Sequence, residues 1–479
     1  MSDGSAARGR KVLLIFPPMQ EYIYGPQWRP TESPTAPLGL MSLATPLIKA
    51  GYQVDFIDFT VDKLDQEGYL EALQKADFIL ISCYSQALGN ISKIIRDVRL
   101  IHEDAAVLCG GPHCNETEMH VEGSDITVYG EADHVIVQIL ERVSSKGPLD
   151  NIPGISYDRD GQIVRNPGFH VIEDLDALEF PSFHLARKKK YGYLYGLKFD
   201  HIVGLMTSRG CPFRCTFCTF RRTKFRERSV DNVILEIQRR VEEGAKYIVF
   251  FDDNFLLRRT RTVQIMDEII KRRFPVRFAI QGRVDLADDD LYGKFKKAGV
   301  IIMIFGVESA NQDVLDFYKK DTTVQNIRRA ITLADQWGLI TFGTLIVGAP
   351  MENYGHFEAD KQFFREVPLD VASIHILNYC CGSSLWADAC EKGLIDRREI
   401  HVAADKRLSN FSTEELAGVQ KELIRAFYND PKRILRLLHK LAGALGARFV
   451  FKLMKMYLRR TVYRSSDTFH GAAAKNVRV

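Results

Sequence analysis

Short apolar runs alternate with amphipathic stretches along most of this chain. Val12-Leu13-Leu14-Ile15-Phe16 is the first run, cut off by Pro17-Pro18. A helical pattern from Leu40 to Ala50 stops at Gly51, and further runs follow at Val54–Ile57, Phe78–Ser82, Ala105–Cys109 and Ile126–Val128. Runs this short, separated by helical periodicity, predict buried parallel strands with crossover helices: a doubly wound, Rossmann-like α/β domain over residues 1–150. Ligands of such sheets sit beyond the carboxyl ends of the strands.

Residues 151–200 have weak periodicity and hold Pro153, Gly154, Pro167 and Pro181, which reads as a linker subdomain. Tyr191, Tyr193 and Tyr195 within it suit packing better than a substrate cavity. Alternation resumes over 201–394, with strands expected at Ile202–Met206, Tyr247–Phe251, Val276–Ile280, Ile301–Phe305, Ile340–Val347 and Val371–Leu377. Six βα units in series predict a partial (β/α)6 barrel with its site at the C-terminal strand ends. Residues 395–479 read as a helical, basic C-terminal region, with Ser412-Thr413-Glu414-Glu415 capping one helix.

Composition changes this picture little. A chain of 479 residues can bury sizeable cores, and 46% hydrophobic with 26% charged residues is ordinary for a globular protein. A net charge of +4 does not by itself call for a nucleic-acid partner. The polar start, Met1–Arg10, lacks the apolar centre of a signal peptide, and no run approaches the ~18 apolar residues of a membrane span. Nine cysteines without a disulfide framework indicate a reducing, cytoplasmic setting.

The chemistry lies in Ser208-Arg209-Gly210-Cys211-Pro212-Phe213-Arg214-Cys215-Thr216-Phe217-Cys218, directly after the first barrel strand. Cys211, Cys215 and Cys218 have a C-x₃-C-x₂-C spacing that gathers three thiolates on one loop. That suits three irons of a [4Fe–4S] cube and leaves the fourth iron open to a chelating ligand. Structural zinc would take a fourth protein ligand, and no Cys or His follows at finger spacing. On this motif the chain resembles the radical SAM superfamily, in which S-adenosylmethionine chelates the open iron. The resemblance implies that Asp252 or Asp253 meets the methionine ammonium and Glu308 the ribose or ammonium. It also gives Ile346 and Gly348 to the adenine side, with Arg283 a further strand-end candidate. Singly these are weak, because acids at strand ends are often helix caps. In Ile374–Ser383 the sequence departs from the family's proline-rich turn, and Cys380 and Cys381 read either as facing substrate or as buried thiols.

The loops of the first domain carry a second resemblance. Pro37-Leu38-Gly39-Leu40, Gly110-Gly111-Pro112-His113 and Gly130-Glu131 look like the cobalamin-binding domain joined to many radical SAM enzymes, glycines letting the backbone approach a flat corrin. Cobalamin domains that ligate cobalt by histidine use D-x-H-x-x-G, and Thr60 stands in the His position of Asp58–Lys63. Cobalamin is therefore expected without that lower ligand. His113 is a possible substitute, with a plain loop wall the better reading.

From Pro431 to Arg464 there are ten Lys or Arg and no Asp or Glu, interleaved with Ile434, Leu435, Leu437, Leu438, Leu441, Leu445, Phe449, Phe451, Leu453, Met456, Tyr457 and Leu458. Such a basic amphipathic segment suggests peripheral contact with an anionic membrane face; a helix packed on the barrel or an RNA-binding patch are the alternatives. Within the resembling family this favours methylation of an unactivated carbon of an apolar, lipid-like substrate by methylcobalamin, as in hopanoid C-3 methylases. A small flavodoxin or ferredoxin would donate electrons. The anaerobic magnesium-protoporphyrin ester cyclase is the rival of similar architecture. An RNA methylthiotransferase would need three more cluster cysteines, for which Cys83, Cys109 and Cys114 are unevenly spaced. A non-catalytic cobalamin-binding protein would leave the strand-end carboxylates without a purpose.

Overall fold

A computed structural model describes residues 9–18, 35–62, 64–189, 191–194, 197–219, 224–286, 288–447, 449–451 and 477–478. The chain divides into two compact units, Met1–Phe199 and Asp200–Val479.

In the first unit, β1 (Lys11–Phe16), β2 (Gln53–Asp58), β3 (Phe78–Ser82), β4 (Ala106–Gly110) and β5 (Ile126–Val128) pair in parallel in the order β2-β1-β3-β4-β5. Helices α1 (Leu38–Lys49), α2 (Gln66–Lys75), α3 (Leu88–Ile101), α4 (Pro112–Thr117) and α5 (Ile136–Ser144) connect or follow them. Successive side chains of β1 fall on opposite faces. Val12 and Leu14 join a core with α1 and α5, whereas Leu13 and Ile15 join one with α2 and α3. Burial on both faces is why these strands read as unbroken apolar runs. The stretch of weak periodicity adds to the same sheet: β6 (Ile155–Arg159) and β7 (Gln162–Arg165) extend it antiparallel beyond β5. Their solvent-facing polar positions hid them from a reading tuned to buried strands. A two-residue hairpin, β8 (Tyr193–Leu194) with β9 (Leu197–Lys198), follows.

The second unit is built on a six-stranded, wholly parallel sheet. Its strands are β10 (Ile202–Leu205), β13 (Tyr247–Phe250), β14 (Arg277–Gly282), β15 (Val300–Glu308), β16 (Ile340–Val347) and β17 (Val371–Ile376), in that order. Between β10 and β13 lie the short β11 (Ser208–Arg209), β12 (Arg226–Glu227) and helix α6 (Val230–Glu242). Helices α7 (Arg259–Arg272), α8 (Asp289–Ala298), α9 (Gln312–Phe317), α10 (Val324–Gln336) and α11 (Tyr354–Glu366) fill the other crossovers. Side chains of Ser229, Asp288 and Thr323 accept from the first turns of α6, α8 and α10 and fix where those helices begin.

The region after 394 is not helical throughout. β18 (Asn378–Cys380) leads through α12 (Ser384–Glu391) to β19 (Glu399–Ala403), which pairs with β18 and with β20 (Val477–Arg478). Helices α13 (Thr413–Tyr428) and α14 (Pro431–Leu445) lie between β19 and β20, and the capping box Ser412–Glu415 opens α13.

Helix α14 corrects the expectation of a membrane-facing basic helix. Arg433, Arg436 and Lys440 point into the barrel unit, and Lys432 is exposed. Arg433 donates to the Leu369 carbonyl at 2.8 Å and to the Phe364 carbonyl, and its guanidinium lies 3.7 Å from the Phe427 ring centroid. Arg436 Nε donates to Asp370 Oδ1 at 2.9 Å. Lys440 Nζ reaches Asp370 Oδ2 at 2.6 Å, Asp335 Oδ1 at 2.7 Å and the Leu339 carbonyl at 2.8 Å. Leu339 and Asp370 precede β16 and β17, so α14 lies at the N-terminal ends of those strands. Its outward side instead shows Ile434 and Leu435, 42% and 67% exposed. Leu453, Met456, Tyr457, Leu458 and the basic residues from Lys452 to Arg464 lie outside the described residues. Among the described residues no helix is long and apolar enough to cross a membrane.

Candidate functional site: a clamped cysteine loop at the barrel mouth

The cysteine loop starts where β10 ends. β11 and β12 pair antiparallel, Ser208 with Glu227 and Arg209 with Arg226, and so close the loop at its base. The base is fixed from both sides. Asp252, 1% exposed just after β13, accepts from the Thr207 N–H at 3.0 Å, the Thr207 hydroxyl at 2.6 Å and the Ser208 hydroxyl at 2.5 Å. Buried Arg261 donates to the Thr207 carbonyl at 2.9 Å, and Arg228, paired with Glu236, donates to the Met206 carbonyl at 3.0 Å. Burial raises the Asp252 carboxyl, and the Ser208 and Thr207 hydrogen bonds oppose it. Asp252 is thus a loop anchor whose acceptors are occupied, which corrects its candidacy as an ammonium ligand. The adjacent Asp253 faces the loop instead: burial and the Asp252 charge push it up to about 6, with the Gly210 N–H opposing.

Asp252→Ala should therefore act on the loop without unfolding the barrel. We expect reconstituted iron per chain to fall by at least half while far-ultraviolet circular dichroism stays unchanged. Full iron content in that variant would show that Asp252 does not set the loop.

Tyr318, Leu385 and Arg283 grip the loop tip. The Thr216 N–H donates to the Tyr318 carbonyl at 2.9 Å, and the Thr216 carbonyl accepts the Leu385 N–H at 3.0 Å. Phe217 meets Tyr318 edge-on at 5.1 Å between centroids. Arg283 lies 3.7 Å from the Phe213 ring centroid and donates to Asp285 at 2.9 Å and to the Lys320 carbonyl at 2.5 Å. Arg283 is thereby a clamp on the loop. Cys211, Cys215 and Cys218 form no disulfide and are partly buried. Burial raises the Cys211 and Cys215 thiols, and Lys320 and Arg283 oppose the shift at Cys215. Three reduced thiols on one loop, with cations beside the middle one, fit an anionic iron–sulfur group. Among the described residues no three His, Cys, Asp or Glu gather around a single-ion site; a cube offers each thiolate its own iron and does not need them to.

Glu308, at the end of β15, has φ +64° and accepts from Lys320 Nζ at 2.7 Å and from the Thr344 hydroxyl at 3.4 Å. A Cβ on Gly306 would stand 2.3 Å from Glu308 Oε1 and 2.6 Å from Lys320 Nζ, so the ion pair requires glycine there. Ile346 is partly buried on β16. Gly348 departs from the expected open adenine face: with φ +111°, its Cβ position lies 3.0 Å from Ala404 and Leu416 side chains. Its N–H instead reaches buried Glu352 at 2.5 Å, a carboxyl that burial pushes up to about 8. Lys320, Arg261 and Thr344 escaped the sequence reading, since none has a fixed spacing from the cysteines. Cys380 and Cys381 are both partly exposed, and Cys380 Sγ lies 3.3 Å from His401 Nδ1.

In the first unit the expected cobalamin loops differ among themselves. Gly39 is exposed, with nothing within 4 Å of its Cβ position. Gly110 has only ordinary contacts there, whereas Gly111, at φ +112°, sits against the Cys83 backbone at 3.2 Å. Gly130 and Glu131 are not open: a Cβ on Gly130 would lie 2.2 Å from the His170 carbonyl, and Glu131 accepts the Ile172 N–H at 2.7 Å. The Thr60 hydroxyl is spent on Asp58 at 2.6 Å. His113 is buried, with Nδ1 3.0 Å from the Ser85 hydroxyl, and burial lowers its pKa. Thus the Thr60 hydroxyl is engaged, and His113 lies buried with its Nδ1 engaged. Cys83, Cys109 and Cys114 do meet in space, but all three are buried, and hydrogen bonding to Cys83 together with burial holds Cys109 and Cys114 above the usual thiol range.

Comparison with known proteins accords with this geometry. Residues 205–364 match the radical SAM superfamily and residues 30–140 the B12 binding domain. An uncharacterized methyltransferase of Pyrococcus horikoshii is 27% identical over 93% of this chain and 98% of its own length. The anaerobic magnesium-protoporphyrin IX monomethyl ester cyclase of Rubrivivax gelatinosus is 28% identical over 68% of this chain and 61% of the cyclase. The hopanoid C-3 methylase of Methylococcus capsulatus is 25% identical, covering 73% and 68%. Among solved structures, the cobalamin-dependent S-adenosylmethionine radical enzyme OxsB with aqua-cobalamin and S-adenosylmethionine bound shares the fold at TM-score 0.68 and 16% identity, over 97% of this chain and 77% of that one. Loop, barrel and doubly wound unit together place the chain among the cobalamin-binding radical SAM enzymes of the methyltransferase type, whose cofactors are a [4Fe–4S] cluster, S-adenosylmethionine and cobalamin.

Proposed function

We propose that this enzyme methylates an unactivated carbon of an apolar, hopanoid-like substrate. The observation that carries the reaction class is the cysteine loop, clamped at its base by Asp252 and facing the Glu308–Lys320 pair at the strand ends. Cys211, Cys215 and Cys218 hold the cluster; Asp253 takes the methionine ammonium, Glu308 the ribose and Ile346 the purine face. Arg283 keeps Phe213, and with it the loop, in place. Gly39 and Gly110 admit the corrin, Gly111 turning the chain against Cys83 beside them, and cobalt receives no histidine from this chain. When bound, cluster and S-adenosylmethionine supply one-electron hydrogen abstraction and cobalamin the methyl group.

The apolar substrate rests on likeness to the hopanoid methylase, since Arg436 and Lys440 of α14 are spent on Asp335 and Asp370. Any contact with an anionic membrane surface is made by Lys452, Lys455, Arg459, Arg460 and Arg464. The electron donor is a small redox protein such as a flavodoxin or ferredoxin.

The test compares lipids and soluble metabolites of strains with and without the protein, grown on methyl-deuterated methionine. A lipid carrying the labelled methyl only when the protein is present is the expected result. A labelled water-soluble product would overturn the lipid assignment, and an unlabelled, cyclised product would overturn methylation.

A further inference from the structure

Lys320 follows α9 and is buried beside the cysteine loop, yet the chemistry described so far gives its charge no task. The backbone around it is held in an uncommon form. Lys319 and Asp321, on either side, have φ +46° and +50°, in the left-handed region that residues with a side chain rarely adopt. Such conformations persist only where the surroundings impose them. The Lys320 N–H donates to the Leu315 carbonyl at 3.0 Å, and Arg283 donates to the Lys320 carbonyl at 2.5 Å. Two residues earlier the Tyr318 carbonyl takes the Thr216 N–H at 2.9 Å, which lays this segment along Cys215 and Thr216. The ammonium ends on Glu308 Oε1 at 2.7 Å, in space that a side chain at Gly306 would fill. Glu308 is itself left-handed, at φ +64°.

A buried ion pair adds little net stability over apolar side chains of the same volume, so stability does not account for this one. The neighbouring thiol does. Burial raises the Cys215 thiol; Lys320 opposes that rise, more than Arg283 does, and Glu308 and Asp321 reinforce it more weakly. The influence is mutual. Burial alone would lower the Lys320 pKa, but Glu308 and then Cys215 hold it above the ordinary lysine value. We propose that Lys320 tunes the reduction potential of the cluster held by Cys211, Cys215 and Cys218, its charge partly offset by Glu308. The inference rests on the assignment of those thiolates to the cluster. Reduction brings one electron, from the small redox protein, to a group that already carries three thiolates. A fixed buried cation stabilises the added negative charge and raises the potential, and a carboxylate beside it does the opposite.

The experiment is an anaerobic potentiometric titration of cluster-reconstituted enzyme, read by electron paramagnetic resonance of the reduced cluster. It is run without S-adenosylmethionine, and iron is measured on the same samples. Lys320→Met removes the cation, so the ratio of reduced to oxidised cluster at a fixed potential should fall about tenfold, or ~59 mV for a one-electron couple. Glu308→Gln leaves the cation uncompensated, and the same ratio should rise. Lys320→Arg keeps the charge and should stay near wild type. Opposite shifts from the two halves of one ion pair identify charge as the cause, because a disturbed fold would move both variants the same way. If Lys320→Met sheds its iron, the rise in Glu308→Gln carries the test. Shifts of the same sign, or no shift in a loaded variant, would overturn the proposal. An unmoved potential in Lys320→Met with weakened binding of S-adenosylmethionine would overturn it too, and would place Lys320 against that cofactor instead. Wild type that holds no iron would defeat the cluster assignment itself, an outcome separable from the others.

Discussion

Enzyme in which Cys211, Cys215 and Cys218 are all replaced by alanine should contain no cluster iron, against about four irons per chain in the reconstituted wild type. Reductive cleavage of S-adenosylmethionine should fall to background. The variant should nevertheless fold, because the loop is held by groups other than its thiols: Thr207 and Ser208 on Asp252, and Thr216 on the Tyr318 carbonyl. Iron analysis, circular dichroism and a product assay separate the three statements. Retained cleavage in the triple variant would sink the cluster assignment, and a collapsed fold would show that the sulfurs hold more than iron.

The second large effect concerns Asp370. Its buried carboxylate receives Arg436 Nε at 2.9 Å, Lys440 Nζ at 2.6 Å and the Thr341 N–H at 2.9 Å. Asp370→Ala would strand a buried ammonium whose remaining partners are Asp335 and a carbonyl. Breaking one side of a buried pair costs ~3–5 kcal/mol, a large share of the stability of any domain. We therefore expect a loss of that size in denaturant unfolding of the barrel unit, and an insoluble product when the chain is cut after Asp430. A soluble, cluster-loaded truncation that no longer sediments with anionic vesicles would reverse this reading and make α14 a membrane anchor.

The strands were legible because each is an unbroken apolar run buried on both faces, and the cysteine loop because its spacing is set by the metal group rather than by the fold. What stayed hidden depends on partners far away in sequence. Asp252 and Asp253 are adjacent acids at one strand end, and nothing local says that the first turns toward Thr207 and the second toward Gly210. Helix α14 carries an apolar and a basic stripe, and periodicity reports both without saying which faces inward. That was decided by Asp370, 70 residues before Lys440, and by Asp335, which lies further still towards the start. Gly348 and Gly130 were read as clearings for a ligand; the first is backed by Ala404 and Leu416, the second by His170. A glycine marks close approach, but the approaching group can be the chain itself.

The hydrogen-bonded base of the cysteine loop has a consequence for how the enzyme is made and maintained. Small zinc modules fold only as metal arrives, because their ligands have no other reason to stay together. Here the strut from Asp252 to Thr207 and Ser208, and the grip of Tyr318 on Thr216, are protein-to-protein contacts that need no iron. With these contacts in place, folding does not depend on metal loading. The polypeptide can complete its barrel first and receive the cluster afterwards from a carrier, through a loop already in position. A cube destroyed by oxygen can be replaced in the same way, without the chain passing through an unfolded state.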